Sequence, residues 1–126
     1  MVCYLIDDDE DDRDFFALAL EEVDRAIELR TAANAEEALM ELQGMQFVPD
    51  VIFLDLNMPR IDGWECLKLL RELNHLSNVP VIIYSTSDNS MRMATNPGFR
   101  EFLTKQSRIS ELVKRLREVF AKITTD

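Results

Sequence analysis

Four strand-like segments of this chain each run directly into side chains that can bind or transfer a charged group. In chain order, these side chains are Asp7, Asp8, Asp55, Ser85, Thr86 and Lys105. In a parallel sheet they would share one rim, because ligands bind in the crevice outside the carboxyl ends of the strands. Three carboxylates there repel one another and would not all stay ionised at neutral pH unaided. Mg²⁺ resolves the repulsion, since it binds one or two carboxylates together with water and a phosphate oxygen.

This set of residues fits phosphoryl transfer to a carboxylate. A carboxylate can act as a nucleophile toward a phosphoryl group and form an aspartyl-phosphate. The transfer then depends mainly on positioning and charge neutralisation. We assign Asp55 as the nucleophile, with Asp7 and Asp8 holding the metal. Lys105 then pairs with the phosphoryl group, and Ser85 donates a hydrogen bond to it.

The elements that must position these residues alternate between strands and helices. Apolar and mixed runs bounded by turn residues predict five strands, Val2–Ile6, Ile27–Thr31, Val51–Leu54, Val81–Tyr84 and Phe99–Thr104. Five helices between and after them imply a parallel sheet covered on both faces. The first, third and fourth strands are wholly apolar and should be central, whereas the second and fifth are mixed and should be edges. The predicted fold class is α/β, a flavodoxin-like doubly wound sheet of order 2-1-3-4-5.

Most of the helices have readable boundaries. The first follows Asp12, with acids in its first turn, where they suit the helix dipole. Asn34 caps the second helix and Asp62 opens the third. A fourth, short helix is predicted within Ser90–Thr95, where the apolar periodicity is poor. The fifth spans Arg108–Ile123 with its apolar residues in clear register.

Length, composition and charge limit the class of protein. The 126 residues form one expected domain, 1–126, and 47% hydrophobic with 30% charged residues is typical of a globular protein. A formal net charge of -10 argues against direct binding to nucleic acid. No apolar run is long enough to span a membrane, so no membrane insertion is expected. Cys3 and Cys66 lie in apolar segments and suggest buried, reduced thiols and a cytoplasmic location.

Four sequence motifs together resemble a response-regulator receiver domain of two-component signalling. They are Tyr4–Asp9, Leu54–Gly63, Pro80–Thr86 and Phe102–Lys105, in the order and spacing of that family. The resemblance implies that Asp55 takes a phosphoryl group from a sensor histidine kinase or a histidine phosphotransfer protein. It also implies a stand-alone receiver, since no effector domain follows Asp126. We therefore expect a phosphoacceptor rather than an enzyme, with an unknown downstream protein as its target.

The same resemblance implies a role for each site residue. Mg²⁺ binds through Asp8 and Asp55, through the backbone carbonyl of Asn57, and through Asp7 by way of water. Lys105, Ser85 and Thr86 bind the phosphoryl group. Ser85 and Phe102 form the switch pair that remodels a protein-binding face made by the fourth helix, fifth strand and fifth helix.

One residue departs from the family pattern near the site. Gln106 follows Lys105, where the family usually has a proline, often after a cis peptide bond. A cis bond before a residue other than proline costs about 2.5–4 kcal/mol, so we expect a trans bond or a rearranged loop. The segment between Ser85 and Lys105 is also slightly short, which predicts a small or irregular fourth helix.

Other functions are compatible with parts of the pattern. A receiver-like binding module that is never phosphorylated remains the main alternative. A Mg²⁺-dependent phosphohydrolase wants an acid two residues after the nucleophile, and Asn57 stands there. A flavin module wants a glycine- and hydroxyl-rich phosphate loop rather than six acids in a row. A calcium loop starting at Asp7 lacks its glycine at Asp12 and its glutamate at Leu18.

Overall fold

A computed structural model describes residues 1–44, 47–86 and 98–124. The strands are β1 (Val2–Ile6), β2 (Glu28–Ala32), β3 (Val51–Leu54), β4 (Val81–Ser85) and β5 (Glu101–Thr104). The helices are α1 (Glu10–Val23), α2 (Ala35–Gln43), α3 (Gly63–Arg71) and α4 (Ile109–Thr124), with a 3-10 helix at Asn74–Leu76. The fourth predicted helix lies within 87–97, outside the described residues, so the described part has four α-helices where five were predicted. The α4 helix corresponds to the fifth predicted one.

The sheet is parallel throughout, and its strand order is β2-β1-β3-β4-β5. This confirms the predicted order and the assignment of the mixed strands to the edges. Every residue of β3 and β4 is buried, whereas β2 and β5 each contain exposed residues. A strand between two neighbours with helices on both faces is shielded from water, which favours apolar side chains. Ser85, at the carboxyl end of β4, is the buried polar exception in these two strands.

The sheet separates two apolar cores. Ile6 and Leu54 point into the core formed with α2 and α3, whereas Leu5 and Phe53 point into the core formed with α1 and α4. Successive side chains of a strand point to opposite faces, so each central strand supplies both cores. Together the two cores fix the sheet between its helices and hold the carboxyl ends of its strands in place.

Capping side chains set where three helices begin. Asp9 accepts a hydrogen bond from the Asp12 N–H, Asn34 from the Glu37 N–H and Asp62 from the Glu65 N–H. Asn34 was predicted as a cap, and Asp62 was predicted as the start of the third helix. The first helix, however, begins at Glu10 rather than after Asp12, because Asp9 caps it and acids in its first turn favour the dipole.

Within residues 1–44, 47–86 and 98–124, no helix combines the length and apolarity that a membrane crossing requires.

Candidate functional site

The carboxyl ends of β1, β3, β4 and β5 meet at one rim, as the sequence predicted. The Asp55 N–H donates to the Ile6 carbonyl at 2.9 Å, and the Lys105 N–H donates to the Ser85 carbonyl at 2.9 Å. These bonds extend the strand pairing one residue beyond the strands. Backbone hydrogen bonds alone therefore hold the main chain of Asp55 and Lys105 in place.

Three carboxylates form a compact cluster at this rim. Oxygen atoms of Asp7, Asp8 and Asp55 lie within 4.8 Å of one another. Asp7 is completely buried and Asp55 is 4% exposed, whereas Asp8 is open to solvent. An all-oxygen donor set with one solvent-facing member suits a hard divalent cation such as Mg²⁺, which keeps several waters. The residues present therefore fit the metal that the resemblance implies.

The Lys105 ammonium is the cation nearest to these acids among the described residues. Its Nζ lies 2.8 Å from Asp7 Oδ2, 2.8 Å from Asp12 Oδ2 and 3.6 Å from Asp55 Oδ2. Burial alone would lower the pKa of Lys105, but the hydrogen bonds to Asp12 and Asp7 outweigh it and hold that pKa above its ordinary value. Lys105 therefore stays charged and offsets part of the negative charge at the rim.

Asp55 is held in a setting that disfavours its charged form. Burial and then the charge on Asp7 raise the pKa of Asp55 from 3.8 to about 7, although Lys105 and the Asn57 N–H act in the opposite direction. The Asn57 N–H donates to Asp55 Oδ1 at 3.2 Å. A bound divalent cation would favour the carboxylate and thus the nucleophilic form.

The two hydroxyls at the carboxyl end of β4 occupy different positions. Ser85 is fully buried, and its Oγ lies 3.4 Å from Asn57 Nδ2. Thr86 is exposed and lines a cleft of about 410 Å³ together with Asp8, Asp55 and Lys105. The structure thus places one hydroxyl beneath the cleft and one on its wall.

The loop after β3 is closed by a glycine. The Gly63 N–H donates to the Leu56 carbonyl at 3.0 Å, and a Cβ on Gly63 would lie 2.5 Å from Leu56 Cα and still closer to the Asp55 carbonyl oxygen. No side chain fits in that space without moving the backbone next to Asp55. In the same loop Arg60 has a φ of 64°, in the left-handed region that favours glycine.

Phe102 and Gln106 lie on either side of the lysine. Phe102 pairs with Ile83 in the sheet and is partly buried against the core with α2 and α3. None of the described peptide bonds is cis, so the expected trans bond between Lys105 and Gln106 is confirmed. Gln106 Nε2 donates to the Thr104 carbonyl at 2.8 Å.

Two residues of α1 also reach the site, and the sequence did not identify them. Asp12 binds Lys105, and Arg13 Nη1 donates to the Asp7 carbonyl at 2.8 Å. Asp9, Glu10 and Asp11 are acids like Asp12, so residue type alone does not separate them. Only the start of α1 and its rotation decide which acid faces the rim.

Comparison with known proteins gives consistent matches over nearly the whole chain. The family model for the response regulator receiver domain matches residues 3–117. A 14.6 kDa protein of the sodA1 3' region of Leptolyngbya boryana is 31% identical over 116 residues, covering 90% of this chain and 86% of that protein. Sensor histidine kinase CheAY of Helicobacter pylori is 32% identical over 103 residues, covering 79% of this chain. The chain spans only 12% of CheAY, and several other relatives are also much longer.

Solved structures give the same picture. The phosphorylated cyanobacterial phytochrome response regulator RcpA superposes with a TM-score of 0.82 at 26% identity, covering 94% of this chain and 89% of that chain. The Mn²⁺-bound form of response regulator Rcp1 superposes with a TM-score of 0.80 at 26% identity, covering 94% of this chain and 90% of that chain.

Proposed function

Because this chain belongs to the response regulator receiver domain family, we propose that it is a phosphoacceptor of two-component signalling whose acceptor is Asp55. The observation that carries the proposal is the convergence of Asp7, Asp8 and Lys105 on a buried Asp55 in one cleft. The acids and the ammonium come from three separate strand ends, and a purely structural role does not require all of them together.

In the proposed reaction an oxygen of the Asp55 carboxylate attacks the phosphorus of a phosphohistidine on the donor protein. A P–O bond forms, the P–N bond breaks, and its electron pair remains on the departing imidazole. Lys105 stays charged in this cleft and pairs with the transferred group, while Thr86 on the wall offers a hydroxyl. Removing water and supplying fixed charges are the main contributions that a protein makes to such a transfer.

The proposed metal is Mg²⁺. It would be held by Asp8 and Asp55, by the backbone carbonyl of Asn57 and, through water, by Asp7, and when bound it neutralises negative charge on the phosphoryl oxygens. The compact oxygen cluster and the likeness to a Mn²⁺-bound response regulator support a divalent cation.

The proposed donor is a histidine kinase or a histidine phosphotransfer protein, and the proposed output is contact with a further protein. The match to part of a sensor histidine kinase supports the first partner. We assign Ser85 and Phe102 as the switch pair, which would remodel the face containing β5 and α4 together with the fourth predicted helix. The buried free thiols Cys3 and Cys66 support a cytoplasmic location.

Intact mass spectrometry tests the proposal directly. The protein is incubated with Mg²⁺ and phosphoramidate, a small phosphodonor, and we expect a gain of one phosphoryl group. The gain should be absent in Asp55→Asn and when Mg²⁺ is chelated, and it should persist in Asp14→Asn, which removes an exposed acid of α1. If the native protein gains no mass from phosphoramidate or from a kinase, the non-phosphorylated binding module replaces this proposal.

A further inference from the structure

The Lys105 ammonium is shared unequally among three carboxylates. Its two hydrogen bonds of 2.8 Å go to Asp7 and Asp12, and Asp55 lies farther away at 3.6 Å. An ammonium has three protons to donate, and two of them are engaged by acids that are not the proposed phosphoryl acceptor. One N–H remains for a phosphoryl group on Asp55, so a second bond from the lysine to that group requires the release of Asp7 or Asp12.

Asp12 is the partner that Lys105 can release more easily. Asp7 is fully buried, so losing the lysine would leave a buried carboxylate without its direct ion-pair partner. The Asp12 side chain is 40% exposed, and water can replace the ammonium there. Asp12 also lies in the first turn of α1, on an element different from those that carry Asp55 and Lys105.

We propose that Asp12 is a positioning residue that competes with the phosphoryl group for Lys105. In the unphosphorylated protein Asp12 holds the ammonium away from Asp55, and phosphorylation exchanges this carboxylate for a phosphoryl oxygen. The inference rests on the proposed phosphorylation of Asp55. It implies that Asp12 weakens binding of the phosphoryl group and that phosphorylation changes the contacts of the start of α1.

Beryllofluoride, which binds an aspartate carboxylate as a phosphoryl mimic, provides the test. Its affinity for the Mg²⁺-loaded protein is measured by ¹⁹F NMR for the native chain and for two variants. Asp12→Asn should bind beryllofluoride at least about threefold more tightly than the native chain. The substitution removes the ion pair between Asp12 and Lys105, and the free energy of such a partly exposed pair corresponds to a factor of this size. Asp11→Asn is the matched control: Asp11 is an exposed acid in the same helical turn, and the change in charge is identical.

Ionic strength separates competition from simple repulsion between Asp12 and the anion. Repulsion between exposed, unpaired charges is largely screened by salt, whereas a hydrogen-bonded pair with a largely buried ammonium is screened much less. We therefore expect the difference between Asp12→Asn and Asp11→Asn to remain at high salt. Unfolding curves of both variants establish that they are folded.

The outcomes distinguish the two proposals. If the native chain and Asp11→Asn bind beryllofluoride and Asp12→Asn binds no tighter, or only at low salt, the role of Asp12 is wrong while Asp55 stands as acceptor. If the native chain binds no beryllofluoride and gains no phosphoryl group, the proposed function itself is overturned.

Discussion

At the scale of single residues, the site is a balance of charges in a place that water hardly reaches. Asp7 and Asp55 are buried carboxylates, and Lys105, with 10% of its side chain exposed, offsets part of their charge. Buried charges are costly unless they are paired, so each member of this group sets the protonation and stability of the others.

The raised pKa of Asp55 makes stability depend on pH. Its pKa of about 7 in the folded protein lies above the value of 3.8 expected when unfolded, so between these values the folded state binds more protons. The contribution of Asp55 to stability therefore falls as the pH rises through this range. Without Mg²⁺, Asp55→Asn should be more stable than the native chain at pH 8, by up to about 4 kcal/mol, and less so at pH 5.

Urea unfolding at the two pH values measures this effect. Asp14→Asn serves as the control, because Asp14 is exposed and its replacement removes the same formal charge. A stabilisation of Asp55→Asn that does not grow with pH would contradict the assignment of a raised pKa.

The buried lysine should matter far more for stability than a surface lysine. Lys105→Met leaves Asp7 without its ammonium, and breaking a buried ion pair typically costs about 3–5 kcal/mol. Lys122→Met is the matched control: its pair with Glu101 at 2.9 Å is largely exposed and should be worth less than about 1 kcal/mol. The free energy of unfolding of each variant is measured at pH 8 in the presence of a chelator. Equal losses of stability in the two variants would argue against a buried ion pair between Lys105 and Asp7.

At the scale of elements, the loop between β3 and α3 holds Asp55 in place by close backbone contact. Gly63 lies against the backbone of Asp55 and Leu56, and Asp62 caps α3 at the same point. The helix start and the strand end are thereby joined directly. A small change in this loop should therefore move the Asp55 carboxylate.

Gly63→Ala should lower both stability and phosphorylation. The added methyl group forces the backbone apart, and overpacking of this kind costs about 1–3 kcal/mol. Gly44→Ala is the control, since Gly44 is exposed, ends α2 and has right-handed backbone angles that alanine adopts freely. Urea midpoints and the rate of phosphoryl gain from phosphoramidate are the measurements. An alanine at 63 that is as well tolerated as one at 44 would contradict the close contact.

At the scale of the whole molecule, the charged residues of the candidate site lie apart from the two apolar cores. The two cores lie on the faces of the sheet, whereas the acids gather at one rim beyond the strand ends. At this rim Asp8 faces solvent and the buried Asp7 and Asp55 lie beside Lys105, so neither apolar core has to accommodate an unpaired charge. To move a two-state equilibrium from 1:99 to 99:1, phosphorylation at this rim would have to favour the active state by about 5.5 kcal/mol.

Mg²⁺ should stabilise the folded chain as a whole. A ligand that binds only the folded state, at ten times its dissociation constant, contributes about 1.4 kcal/mol. The gain should be larger at pH 8 than at pH 5, because protonation of Asp55 competes with the metal. Thermal unfolding with Mg²⁺, against NaCl of equal ionic strength, tests this. If Mg²⁺ stabilised Asp55→Asn as much as the native chain, or equally at both pH values, the metal would bind at a site that does not include Asp55.

The sequence was sufficient for the sheet and for most of the rim. Central strands buried on both faces are apolar and edge strands are mixed, so composition separates the central strands from the edges. The order 2-1-3-4-5 comes from the known doubly wound pattern that matches this assignment. The carboxyl ends of parallel strands meet at one rim, and Asp7, Asp55 and Lys105 were therefore predicted to be neighbours. The boundary of α1 was missed by three residues, because an acid run reads equally well as a loop or as a capped first turn.

Only the tertiary structure decided which side chains touch. It placed Asp12 on Lys105, buried Ser85 while leaving Thr86 on the cleft wall, and pressed Gly63 against the backbone of Asp55. The hydrophobic pattern determines which helices and strands form and which of their faces are buried, because a face that is apolar on average packs into a core. A contact at 2.8 Å between residues 93 positions apart depends instead on how far α1 is rotated over the sheet, and no local pattern encodes that angle.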